Sequence, residues 1–145
     1  NIDANFISRS KDNFKTNDDV NTVGTKVAVL ERSAYDLWLT ENFKNVELIR
    51  VNTIEESHKL FREKKVDVLA GLKPKLIEEI ETNDEFEMIT IPFTFIKQSI
   101  GIKKGNPEIL DFLNNFISEL IKEGFVEGLL KKHNVLNKLS IPKIV

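Results

Sequence analysis

The chain has 145 residues, 41% of them apolar, and its 21 basic and 23 acidic side chains leave a formal net charge of -2. That is enough apolar material for one packed core, and the balance argues against nucleic acid or an anionic membrane as partner, since both require a concentrated positive field. The absence of cysteine excludes a disulfide framework, thiolate metal ligation and a cysteine nucleophile.

No apolar run approaches the ~18 residues needed to cross a bilayer. The opening Asn1-Ile2-Asp3-Ala4-Asn5-Phe6 has neither Met nor the basic and apolar regions of a secretory leader, and reads as the start of a processed or excised piece. Residues 2–7 are expected to form a short strand, and the polar stretch 8–21 a linker or surface connection. The compact apolar run Lys26-Val27-Ala28-Val29-Leu30 predicts a strand buried on both faces. Ser33 is placed to cap a helix over residues 34–43, with Leu37, Trp38 and Phe43 as its inner face. Residues 46–51 form the next strand. Thr53 and Glu56 then have capping-box spacing, opening a helix to about residue 64 that buries Leu60 and Phe61.

A third strand, residues 66–72, ends at Gly71, and Pro74 suits the first turn of a helix over residues 75–81. Two further strand-like segments follow, at residues 86–91 and 92–103. From Asn106-Pro107 onward, Ile109, Leu110, Leu113, Phe116, Ile117, Leu120 and Ile121 recur at three- and four-residue steps, a single apolar helical stripe that Gly124 terminates. A short helix over residues 126–132 completes the pattern. Strand and helix alternate, which predicts an α/β unit with a mostly parallel sheet flanked by helices.

Catalytic signatures are sparse. His58 and His133 both read as solvent-facing, no nucleophile elbow or phosphate-binding loop is present, and no ligand spacing implies a metal. Lys73, Lys75, Lys103 and Lys104 come from separate segments and read as a solvated face. The turn Glu31-Arg32-Ser33-Ala34-Tyr35 is sharper. It leads from a buried strand into a helix N-terminus, whose free N–H groups and capping hydroxyl suit an anionic ligand group. Ser33 acting only as an N-cap is the competing reading. In a parallel sheet the strand end Gly71-Leu72-Lys73 lies near that turn, where such sheets bind ligands.

These two turns sit within a pattern that resembles the family-3 solute-binding proteins of ATP-driven importers. The matching stretches run from Val23-Gly24-Thr25-Lys26-Val27-Ala28-Val29 through Ser33-Ala34-Tyr35-Asp36-Leu37-Trp38-Leu39 and Glu47-Leu48-Ile49-Arg50. They continue with Val66-Asp67-Val68-Leu69-Ala70-Gly71, then Gln98-Ser99-Ile100-Gly101-Ile102, and a late helix with Asn114 that closes at Gly124. The similarity extends over residues 5–135.

The resemblance implies a periplasmic-binding-protein-like lobe, one of two that clamp a ligand by hinge closure. Residues 1–15 correspond to a first hinge strand and connection, residues 16–96 to the ligand-binding second lobe, and residues 97–145 to the return strand and C-terminal helices of the first lobe. Most of that first lobe would be absent. The apolar stripe of residues 109–121 is then expected to fold onto another surface or to drive self-association.

The implied function is extracytoplasmic capture of a small polar solute, amino-acid-like or carboxylate-bearing, for delivery to the membrane permease of an ABC importer. The location would be periplasmic or extracellular, with no cofactor. Ligand contacts fall on Arg32, Ser33, Tyr35, Leu72, Lys73 and Gln98. Two departures bear on the ligand. The family usually has Gly where Arg32 stands, and many amino-acid binders carry an Asp where Leu72 stands, to pair with the ligand ammonium. Losing that charge-assisted bond forfeits about 1.5–3 kcal/mol, while Arg32 could favour a carboxylate. The fold also serves as the sensing domain of signalling receptors and as a dehydratase of cyclic acids. The latter needs a positioned acid or base, for which Glu31 is the candidate.

Overall fold

β1 (Ile2–Arg9) opens the computed structural model, which describes residues 1–143. A 3-10 turn (Ser10–Asp12) and the short α1 (Asn17–Val20) follow, and then β2 (Lys26–Leu30), α2 (Ala34–Asn42), β3 (Glu47–Val51), α3 (Ile54–Arg62), β4 (Val68–Leu72) and α4 (Lys73–Ile80) alternate. β5 (Phe86–Met88), β6 (Thr94–Ile96), α5 (Pro107–Lys122) and α6 (Phe125–Lys132) complete the chain. Residues 3–96 form one unit; Asn1 and Ile2 group with the chain from Lys97 onward in another.

The expected α/β lobe is present, built on a mixed sheet of order β3-β2-β4-β1-β5, with β6 also pairing β1. The parallel part is confined to β3, β2 and β4: Ala28 lies opposite Ile49 on one side and Leu69 on the other. β1 runs antiparallel to β4, with Phe6 opposite Ala70 and Ser8 opposite Val68. Its position inside the sheet explains why residues from Ala4 to Arg9 are all buried.

Side chains of a strand alternate between faces, and the core divides accordingly. Phe6, Val27, Val29, Val68 and Ala70 face one layer, with Tyr35 and Leu39 of α2 packed on them. Phe6 stacks on Phe93 with ring centroids 4.3 Å apart, and Trp38 and Phe43 close around the pair. Ile7, Ala28 and Leu69 face the other layer, under Phe61 of α3 and Leu76 of α4. Burial on both faces accounts for the uninterrupted apolar runs of β2 and β4.

Several local expectations are revised. Leu37 does not join the inner face of α2; it is exposed, and Tyr35 and Leu39 take that role. Residues 8–21 are not a loose linker. Thr16 and Asp19 form a capping box, and Val20 is fully buried in the core. Arg9, in the same region, is a buried cation held by Asp12 at 2.6 Å and by the carbonyls of Phe61 and Val66, so its charge is compensated. Of the segment 92–103 only Thr94–Ile96 is a strand.

In the other unit, α5 ends as the pattern requires, with Gly124 left-handed at φ 75° before α6. The chain ends of this unit meet: Ile2 bridges Leu139, and Asn1 and Ser140 exchange hydrogen bonds. No residue of α5 is buried.

Candidate ligand-binding site

The first turn of the site is set by backbone conformation. Arg32 adopts a left-handed φ of 59°, which allows the chain to reverse so that the Ser33 N–H reaches the Leu30 carbonyl at 3.2 Å. A non-glycine residue resists that conformation, so the position favours the glycine that the resembled family carries. Here the turn is secured by Asp36. Its buried carboxylate accepts the Arg32 N–H at 2.9 Å and the Arg50 guanidinium of β3 at 3.0 Å. Ser33 caps α2 as expected, accepting the Asp36 N–H at 3.1 Å. Reading the sequence missed Asp36, although its place three residues after Ser33 is the carboxylate position of a capping box.

Tyr35 is buried, and burial pushes its phenol above the ordinary value; hydrogen bonds to the Ser33 side chain and the Leu30 backbone partly oppose this. The second turn follows β4. Gly71 lets β4 lie close under α4, since a Cβ there would meet Leu76 Cδ2 at 3.0 Å and the leucine side chain would have to give way. Leu72 then leads into α4 with no side-chain cap.

Both turns line one cavity of about 170 Å³, closed by Ile54, Ser57 and His58 of α3, Lys75 of α4 and Ile96 of β6. Of the residues singled out from sequence, the structure brings Ser33, Tyr35 and Leu72 to this cavity. Arg32 is exposed and does not line it, and Lys73 is turned to Asp3, 3.6 Å away. Gln98 is exposed and belongs to the other unit. Glu31 is exposed, with its N–H bound to the Val51 carbonyl. Among the described residues, none of those lining the cavity is acidic.

His58 corrects the sequence reading. It is only 7% exposed, and its Nδ1 lies 2.6 Å from Glu79 Oε2, which also accepts from Arg62 at 2.8 Å. The reason is helical phase: Ser57, His58 and Phe61 form the buried face of α3, and α4 supplies the carboxylate across the gap. Neighbouring charged residues hid it, because Lys59 and Arg62 occupy the exposed face of the same helix. His133 is exposed, as expected. Among the described residues no group of three or more His, Asp or Glu side chains is placed to hold a metal ion, and no helix is long and apolar enough to cross a membrane.

A mixed-sheet lobe with its cavity at the C-terminal ends of β2 and β4 is the fold of one lobe of a periplasmic binding protein. Comparison with known proteins agrees. The chain is 25% identical over 120 residues to the L-cystine-binding protein TcyJ of Escherichia coli K12, covering 82% of this chain and 44% of that one. It superposes on a putative binding component of an ABC transporter from Wolinella succinogenes, complexed with lysine, at TM-score 0.76 and 17% identity, covering 90% of this chain and 58% of the other. The cysteine-binding protein of Campylobacter jejuni gives TM-score 0.68 at 17% identity, with 99% and 57% covered. No family model matches the chain. The chain is a homologue of the family-3 solute-binding proteins, and it spans about half the length of the relatives it matches.

Proposed function

We propose that this chain is the ligand-binding lobe, with adjoining segments, of an extracytoplasmic protein that captures a small carboxylate-bearing solute of amino-acid size for an ATP-driven importer. Residues 1–15, whose β1 also pairs within the sheet of the lobe, and the segment from residue 97 act as hinge connections, residues 16–96 make up the rest of the second lobe, and the helices beyond belong to the first. The observation that carries this reading is the convergence of the Ser33 and Leu72 turns on one cavity. The N-terminus of α2 offers backbone donors and a partial positive charge to the carboxylate, and Tyr35 offers a flat wall beside it. Leu72 supplies no carboxylate for a ligand ammonium, so selectivity on this lobe rests on the anionic group and on apolar shape. Arg32, Lys73 and Gln98 remain rim candidates whose contact would come with closure over the ligand.

The similarity to proteins named for cystine and cysteine binding, and to a transporter binding component complexed with lysine, supports an amino-acid-like solute. A thermal-shift screen of the intact protein with amino acids, opines and dicarboxylates tests the proposal. One solute at about 100 times its Kd should add about 2.7 kcal/mol of stability by linkage. Indifference to every solute, together with turnover of a cyclic acid, would favour the dehydratase alternative; the His58–Glu79 pair at the cavity wall would then be its acid or base.

A further inference from the structure

His58 does more than fill space between α3 and α4. Glu79 Oε2 already accepts from the Arg62 guanidinium at 2.8 Å, so toward His58, 2.6 Å away, it acts as an acceptor and the ring hydrogen sits on Nδ1. In the neutral imidazole Nε2 therefore carries the lone pair, and it is the ring atom left to address a ligand. The neighbouring donors are committed: the Ser57 hydroxyl donates to the Ile54 carbonyl at 2.6 Å, and Lys75 Nζ to Glu78 at 2.6 Å. Leu30, Ile54, Leu72 and Ile96 contribute apolar surface to the same lining.

Two apolar side chains would hold α3 and α4 together at least as well as a buried ionisable pair. Such a pair at a cavity wall orients an acceptor. The volume sets the size of its guest, since an apolar cavity of about 150 Å³ holds benzene, and this one measures about 170 Å³.

We propose that this cavity is a side-chain subsite in which His58 Nε2, oriented through Nδ1 by Glu79, accepts a hydrogen bond from a neutral hydroxyl or amide at the tip of a ring-sized apolar body. This inference rests on the proposed capture of a carboxylate at the start of α2. It defines the ligand class as a carboxylate joined to a compact apolar body that ends in a neutral donor.

Calorimetry of the intact protein with 4-hydroxyphenylacetate and phenylacetate tests this, because the two probes differ only in the donor. The hydroxylated probe should bind about tenfold more tightly. His58→Phe should abolish the preference, and His58→Gln, which keeps an acceptor, should retain part of it. If His58→Phe fails to fold, the ¹⁵N resonance of His58 Nε2 in the unsubstituted protein gives the answer, moving with the hydroxylated probe and not with its analogue. Equal affinities for the two probes, an unchanged preference in His58→Phe, or a still Nε2 resonance would each overturn the subsite. If both probes fail while another carboxylate stabilises the protein, the subsite falls and carboxylate capture stands; if no carboxylate binds, both fall.

Discussion

Helices α3 and α5 are both amphipathic, yet they end in opposite states. α3 buries Phe61 completely, whereas α5 has no buried residue and leaves Phe112 66% exposed. The difference lies in what each unit provides. α3 is the crossover from β3 to β4, which flank β2 in the sheet, so an apolar surface lies beneath it; α5 has α6 beside it and, among the described residues, no sheet in its unit. Periodicity creates a face, but burial of that face needs a partner of matching shape.

The largest expected effect sharpens this contrast. Phe61→Ala should cost about 3–5 kcal/mol in urea unfolding, as deletion of a buried ring does. Phe116→Ala, which is half exposed, should stay within about 0.5 kcal/mol. Equal losses at the two positions would mean that α5 is buried in solution and would break the comparison. The rim of the cavity comes next. Asp36→Ala should destabilise by about 1–3 kcal/mol, because it orphans the Arg32 N–H and removes the carboxylate partner of Arg50, which keeps the Thr40 hydroxyl. It should also weaken ligand binding by loosening the Ser33 turn, and a stability loss with unchanged affinity would separate the turn from the site. The smallest effect is expected at Arg32. Arg32→Gly relieves the left-handed strain and should raise the free energy of urea unfolding modestly, by up to about 1 kcal/mol. A clear loss of stability would show that the side chain, not the backbone conformation, holds the turn.

Much of the candidate site was legible. Ser33 followed by an apolar helix names a cap, and an apolar run ending at Gly71 names a buried strand whose end is a turn, so the two rims of the cavity could be located along the chain. His58 was not legible, because its neighbours are charged and its partner lies 21 residues away on another helix. Val20 and Arg9 were hidden for the same reason. A polar stretch reads as solvated until the surfaces that cover it are known.

What the amino-acid order determined alone was local: the caps at Ser33 and Thr53, the strand runs of β2 and β4, and the stop at Gly124. Each follows from interactions within a few residues, which sequence spacing records directly. Tertiary structure decided the antiparallel placement of β1 inside the sheet, the ion pair of Asp36 with Arg50, and the joining of His58 to Glu79 at the cavity wall. Those depend on pairings between distant segments, where geometry selects one partner from many chemically equivalent ones.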